Sequence, residues 1–571
     1  MIYKGIRRGF QRAALCCLCS LVSAIFYQVG AVEPRINLYD LDLKVDFERS
    51  HFTGREILHF TNQSKKSIDT LFFRLYPNLT SEKKDSTEPA LRILTVKGNG
   101  HAYRFETNQE VLKVFLPESL GPDQVAAITI EYAGHVPLVT ESRTNTLAHV
   151  MRELSSATVR EPAVRLGYET FLRSEDVMVL GFAYPVLAMQ NGQRWQSSAP
   201  VTMAELEFTE TADYRVRITT QRGLTVIASG PERRQQSPYA DEQIIESSGD
   251  MMREFAIIIG RNLVSSETNV GKTKVRSVFR EKDSTVGKNL LKKAADAVSI
   301  YSSLFGEYPY PKLDVVEAPL LPGHSECEFS GMVLMASAYY IDFKSPAAKS
   351  LPGFLREQAP AFEDGFEYTA IHGIAHQWWG EVVEVAPYRH SFMDEALTGV
   401  SSVIYLRRQY DKGFVNQQLD SQVNASYRVY RTFGGSDMSA DKSLNDFVNE
   451  FQFAAIVQTK GTLFFVAVLD LMGEKNLGAA LARFYEKYKF RIATPDDLLN
   501  ELNQDLTSAD RDTIHRIYRR WLHDKHGDED IGKPPMEIQI TLDSDPKRSQ
   551  RKLTRMGRFF LMIGKTAVRP F

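Results

Sequence analysis

The chain has 571 residues, 43% hydrophobic and 25% charged. That is enough for roughly three or four domains, with the composition of a folded soluble protein. A formal net charge of -2 provides no strong basic field, so no nucleic-acid partner is expected.

Lys4, Arg7, Arg8 and Arg12 precede an uncharged, mostly apolar run over 13–31 that ends in Val29-Gly30-Ala31. This is the layout of a secretory signal peptide over 1–31, and it predicts a periplasmic or secreted protein. The alternative is an uncleaved anchor that keeps 13–31 in the membrane. Cys16, Cys17 and Cys19 fall in this segment, which leaves Cys327 alone in the mature chain. No intramolecular disulfide is expected there.

From Ile36 to Leu263 the pattern is that of strands. Leu41, Leu43, Val45 and Phe47 alternate with polar residues, and Thr53-Gly54 is read as a turn leading into Ile57, Leu58 and Phe60. Similar runs at Val111–Leu116, Ala127–Tyr132, Tyr214–Thr219 and Phe255–Ile259 predict an antiparallel β domain of sandwich type over 32–268. Residues 135–178 are less regular. The period then changes: Leu290, Leu291, Ala294, Ala297, Val298, Tyr301 and Leu304 form one stripe of a helix over Asn289–Phe305. Short strands are expected at Leu313–Val316 and Met332–Met335. Helices are expected at Phe366–Val383, Asp394–Tyr410, Thr462–Leu471, Leu477–Lys489 and Pro495–Asp505. Together these make a mainly helical second domain over 269–530. A tail over 531–571 holds a candidate strand, Glu537–Leu542. After Asp545 it carries eight Lys or Arg residues and no acid. The tail reads as a solvated end, with the apolar stretch Phe559–Ile563 as an alternative membrane contact.

The chemistry concentrates at His372-Gly373-Ile374-Ala375-His376, followed by Gln377-Trp378-Trp379-Gly380. Two histidines four apart on a helix share a face and can hold one zinc ion. Eighteen residues separate His376 from Glu395, which opens a second helix, a spacing that can bring a carboxylate back to the metal. Two His and one Glu leave zinc an open position, as catalytic sites do. In peptidases of this design the residue after the first histidine is the glutamate that acts as general base. Here it is Gly373.

With these residues in view, the chain resembles the membrane-alanyl-aminopeptidase family of gluzincin zinc metallopeptidases. The likeness runs from roughly residue 36 to 525. It is carried by Phe182-Ala183-Tyr184-Pro185-Val186-Leu187-Ala188 with Trp195, by Tyr308-Pro309-Tyr310-Pro311, by Gly331-Met332-Val333-Leu334, by 372–395 apart from Gly373, and by Lys460-Gly461. The resemblance implies an α+β protein: a β saddle or sandwich domain followed by a mainly helical thermolysin-like zinc metallopeptidase domain. It also implies one Zn2+ on His372, His376 and Glu395, with peptides or protein N-termini as partners.

The departures from the family are specific. Ser325-Glu326-Cys327-Glu328-Phe329 stands where the family has Gly-x-Met-Glu-Asn. Glu328 is retained and by resemblance would pair with a substrate α-ammonium. Alternation points Cys327 away from the glutamates, as a stand-in for the family's Met. Gln458 stands at the usual Tyr position, where the oxyanion is stabilised. Removing a general base typically costs about 10²–10⁴-fold, and losing an oxyanion donor about 10²–10³-fold. The leading reading is therefore a zinc-binding, peptide-binding member with lost or strongly reduced activity. The alternatives are an active aminopeptidase with a relocated base and a structural module with a fold-stabilising zinc. Glu326, then Glu328, is the candidate substitute, although neither is expected at the position Gly373 vacates.

Overall fold

The computed structural model describes residues 36–79, 89–158, 170–191, 194–196, 209–351, 353–385 and 389–532. The signal segment, the tail from 533 onward, Glu537–Leu542 and Phe559–Ile563 lie outside the described residues.

The N-terminal half is built on an eight-stranded sheet. Its order is Glu232–Gln235, Glu242–Met252, Ala212–Gln221, Asn37–Asp46, His51–Thr61, Val125–His135, Leu91–Gly98, His101–Ala102. All neighbours are antiparallel except Asn37–Asp46 and Ala212–Gln221, which run parallel. The expected alternation is present, with Leu41, Leu43 and Val45 buried between exposed neighbours. Each such side chain contributes about 1.5–3 kcal/mol by leaving water. Two four-stranded sheets complete this half. Thr53 and Gly54 do not form a turn: both lie inside His51–Thr61, and the reversal falls at 47–50, where Ser50 takes φ +56°. Gly54 is needed in the strand because a Cβ there would meet the Tyr132 ring at 2.3 Å. The irregular stretch holds the helix Thr146–Thr158.

Sheet membership changes at Leu263, a few residues before the expected boundary at 268. Leu263–Val270 opens a five-stranded sheet that continues through Thr273–Arg280, Lys312–Ala318 and Met332–Ala336 to the edge strand Glu326–Phe329. Two ionic anchors join the halves. Lys312 and Arg276 both bind Asp314, at 2.5 and 2.6 Å, and both reach Glu232 of the large sheet, at 2.9 and 2.7 Å. Arg253, 2% exposed, donates to the carbonyls of Gly380, Glu381, Thr209 and Arg491, and pairs with Glu384 at 3.5 Å.

The helices follow the sequence pattern with shifted ends. The histidine helix spans Ala359–His376, and Val383 belongs to a short strand, Val383–Val385. The helix stops early because Gly380 takes φ +114° and the tryptophans are bound elsewhere: Trp378 Nε1 donates to Gly306 O and Trp379 Nε1 to Ser401 Oγ. The glutamate helix, Met393–Gln409, packs against Thr459–Met472 at near backbone contact. A Cβ on Gly399 would lie 1.9 Å from Thr462 Oγ1, and one on Gly461 would lie 2.9 Å from Ala396 Cβ. The run Glu450–Met472 is long and apolar enough to cross a membrane, but it is largely buried inside this fold. The sequons at Asn62 and Asn78 hold buried asparagines whose side-chain amides donate to backbone carbonyls.

Gly399→Ala is expected to destabilise the protein by about 1–3 kcal/mol through overpacking, read as a lowered midpoint in denaturant. A pH effect is expected at Glu317, a fully buried side chain on Lys312–Ala318. Burial, then the charge of Asp283, pushes its carboxyl up to about 7 from 4.5, with Arg280 opposing. The folded state therefore favours the protonated acid. Its stabilising contribution is whole below the ordinary value and disappears as pH rises through about 7. Glu317→Gln is expected to flatten the fall in Tm between about pH 5 and about pH 8, measured by thermal melts across that range.

Candidate metal centre and the pocket above it

The histidine helix and the glutamate helix bring three buried side chains together. One ligand atom from each of His372, His376 and Glu395 lies within 4.8 Å of the others. His372 Nε2 is 3.2 Å from Glu395 Oε2. The two imidazoles lie at 75° with centroids 5.0 Å apart. His376 Nδ1 donates to the Trp379 carbonyl at 3.1 Å, which fixes the tautomer and leaves Nε2 as the free lone pair. Burial, then His372, lowers the His376 pKa to about 4. Burial would raise Glu395, but the hydrogen bond and charge of His372, then His376 and the Gln458 amide, bring it to about 2. Glu395 Oε2 is buried and faces His372 Nε2. A neutral imidazole lone pair beside an ionised carboxylate oxygen turned toward the histidines is a donor set that fits a divalent cation.

Gln458 lines the cavity with its amide nitrogen engaged by a metal-ligand candidate. It sits in a π-turn, Ala454–Gln458, and its Nε2 donates to Glu395 Oε1 at 2.9 Å. One carboxylate oxygen is thereby held by the amide, while the other faces the histidines. Thr398, one turn after Asp394, lies 3.4 Å from His372 Nε2.

A cavity of about 460 Å³ lies over this group, lined by residues of both halves. The edge strand Glu326–Phe329 forms one wall. Gln377, fully buried, ties this wall to the end of the histidine helix. Its Nε2 donates to Phe329 O, and its Oε1 accepts from Gly331 N and from the Tyr308 hydroxyl. Phe182, at φ +54°, packs its ring on Phe329 from the other half, 5.6 Å between centroids. Glu326 and Glu328 share the strand face directed at the histidine helix, and Cys327 packs against the hydrophobic core.

That face corrects the expectation about Gly373. A Cβ built there would lie 2.3 Å from Glu326 Oε2, 2.8 Å from Glu328 Oε1 and 2.9 Å from Val333 Cγ1. Both carboxylates therefore press on the space that Gly373 vacates. Burial, then Glu395, raises the Glu326 pKa well above the usual range, and burial, then Glu326, does the same for Glu328. The physical reason is the Gln377 clamp, which brings the strand close enough to fill a gap that spacing along the chain could not locate.

Two features had no signal in the sequence. Tyr368, one turn before His372, lines the cavity and stacks on that imidazole with centroids 6.1 Å apart. The cavity wall also carries Glu254, Glu381 and Glu384. Burial raises Glu384 to about 8 against the opposing Arg253.

A β domain beside a two-His, one-Glu helical unit is the architecture of zinc metallopeptidases of the thermolysin-like type. Residues 290–521 match the peptidase family M1 domain. The chain is 23% identical over 251 residues to aminopeptidase M1-A of Oryza sativa subsp. japonica, covering 44% of this chain and 27% of that one. It is 26% identical over 153 residues to aminopeptidase N of Lactobacillus delbrueckii subsp. lactis, covering 26% and 18%. The chain thus spans about a quarter or less of these relatives' length. The fold is shared with the M1 zinc metallopeptidase from Deinococcus radiodurans: TM-score 0.55, 15% identity, 90% of this chain and 98% of that one. A mutant of that enzyme bound to a Tyr-Ser-Ala substrate matches with TM-score 0.54 at 16% identity, covering 89% and 97%.

Gln458→Ala is expected to weaken zinc affinity about 10–100-fold, the usual effect of losing a partner behind a metal ligand. Competition titration with a zinc chelator measures it.

Proposed function

We propose that the chain is an exported zinc protein that holds peptides by their free N-termini and hydrolyses the first peptide bond without a glutamate at position 373. The convergence of His372, His376 and Glu395 beneath the cavity carries this reading. Zinc held by these residues would supply a Lewis acid beside the peptide carbonyl. Glu328 would receive the α-ammonium: its Oε1 is buried without a partner, and acidic groups surround it. An ammonium there would pair with Glu328 and ease its repulsion with Glu326. The peptide complex of the Deinococcus radiodurans enzyme supports the substrate class.

A second reading, a peptide-binding protein without turnover, is favoured by Gly373 and by the engagement of Gln458 with Glu395.

Purified protein is expected to carry one zinc per chain and to lose it in His376→Ala, by elemental analysis. A peptide with an acetylated N-terminus is expected to bind about tenfold or more weakly than its free counterpart, the effect of losing a charge-assisted hydrogen bond. Glu328→Gln should remove that difference in calorimetry. Zinc-free protein, or equal affinity for both peptides, contradicts the proposal.

A further inference from the structure

We propose that Glu326 supplies, from the edge strand, the carboxylate that the histidine helix lacks at Gly373. The inference rests on the zinc and N-terminus reading above and concerns only where the base comes from. Three observations carry it.

First, the Glu326 carboxylate lies over Gly373. A side chain at 373 would begin 2.3 Å from Glu326 Oε2, so it fits only if that carboxylate swings aside. Gly373 lies at an interior position of Ala359–His376 with a negative φ, so its backbone conformation does not call for glycine. What calls for it is the carboxylate opposite.

Second, the strand cannot withdraw. Gln377 binds the backbone at Phe329 and at Gly331, and the register pairs Glu326 with Met335 and Glu328 with Val333. Alternate residues of this strand are thus directed at the helix next to His372.

Third, Glu326 Oε2 is buried with no hydrogen-bond partner. A carboxylate left unsatisfied in a cavity wall beside a metal-ligand set has a function other than structural pairing. Of the two glutamates, Glu326 lies nearer the vacated position, and Glu395 is the charge it feels most. Glu328 keeps the role of ammonium partner.

The reaction this supports is simple hydrolysis. A cation on His372, His376 and Glu395 would favour the ionised form of Glu326, and that carboxylate takes one proton from a water as the water oxygen bonds to the peptide carbonyl carbon. It returns the proton to the amine nitrogen as the carbon–nitrogen bond breaks, so the carboxylate is regenerated and water is the only co-reactant.

The test uses four zinc-loaded full-length proteins: wild type, Glu326→Gln, Gly373→Glu, and the double variant Glu326→Gly with Gly373→Glu. Zinc content, thermal midpoint and turnover of amino-acid amides are read for each. Glu326→Gln keeps the shape, so it should keep zinc and the midpoint while turnover falls about 10²-fold or more. Gly373→Glu alone should lower the midpoint, because its Cβ meets two carboxylates and Val333 Cγ1. The double variant, with the carboxylate moved to the helix, should regain the wild-type midpoint and turn over substrate. The inference is overturned if Glu326→Gln turns over substrate within about threefold of wild type. It is also overturned if the double variant melts no higher than Gly373→Glu alone, or if zinc-loaded wild type shows no turnover. That last result leaves the N-terminus-binding reading intact, whereas absence of zinc or of N-terminus discrimination removes the reading itself.

Discussion

The geometry of the pocket depends on one buried amide. Gln377 directly follows the second histidine, and its side chain forms hydrogen bonds with Phe329 O, Gly331 N and the Tyr308 hydroxyl. A fully satisfied amide in an apolar setting is rigid, because breaking any one bond strands a polar group at a cost of about 1–3 kcal/mol. The distance from edge strand to histidine helix is therefore fixed by Gln377, not by the residues that meet across the gap. With the separation fixed, only the distribution of bulk across it can vary. This chain places two glutamates on the strand and glycine on the helix.

The site was legible in sequence wherever its logic is local. Two histidines one helical turn apart, and a glutamate opening the next helix, follow from helical periodicity, and the structure brings them within 4.8 Å. Strands with one buried face were legible for the same reason, as at Asn37–Asp46 and Ala212–Gln221. Readings failed where a distant residue decided the outcome. Thr53-Gly54 looks like a turn until the Tyr132 ring explains the glycine. The histidine helix seemed to continue to Val383 because the tryptophans fit its apolar pattern, yet Gly306 and Ser401 draw them away. The contact of Glu326 with Gly373 joins positions 326 and 373, and no periodicity encodes that pairing.

Gln458 shows how one substitution alters two functions together. Seen in sequence, it is a weaker oxyanion donor. Seen in the fold, it lines the pocket while its amide nitrogen is engaged by Glu395. Glu395 is held ionised between the imidazoles and this amide, and the helix bearing it is seated by the close contact of Gly399 with Thr462. The ligand set is thus organised by packing one turn away as much as by the ligands themselves.

Arg253 makes the boundary between the halves unlike an ordinary linker. It arises beside the large sheet, but its guanidinium is spent on carbonyls at Gly380, Glu381 and Arg491, just beyond the histidine helix. Separating the halves would strand a buried cation and leave carbonyls beside the metal centre without their donor, at a cost several times that of a surface pair. The halves are therefore mechanically one body. A shear applied to the large sheet reaches the turn after His376 directly, so the cavity is the first region to register a strain between them.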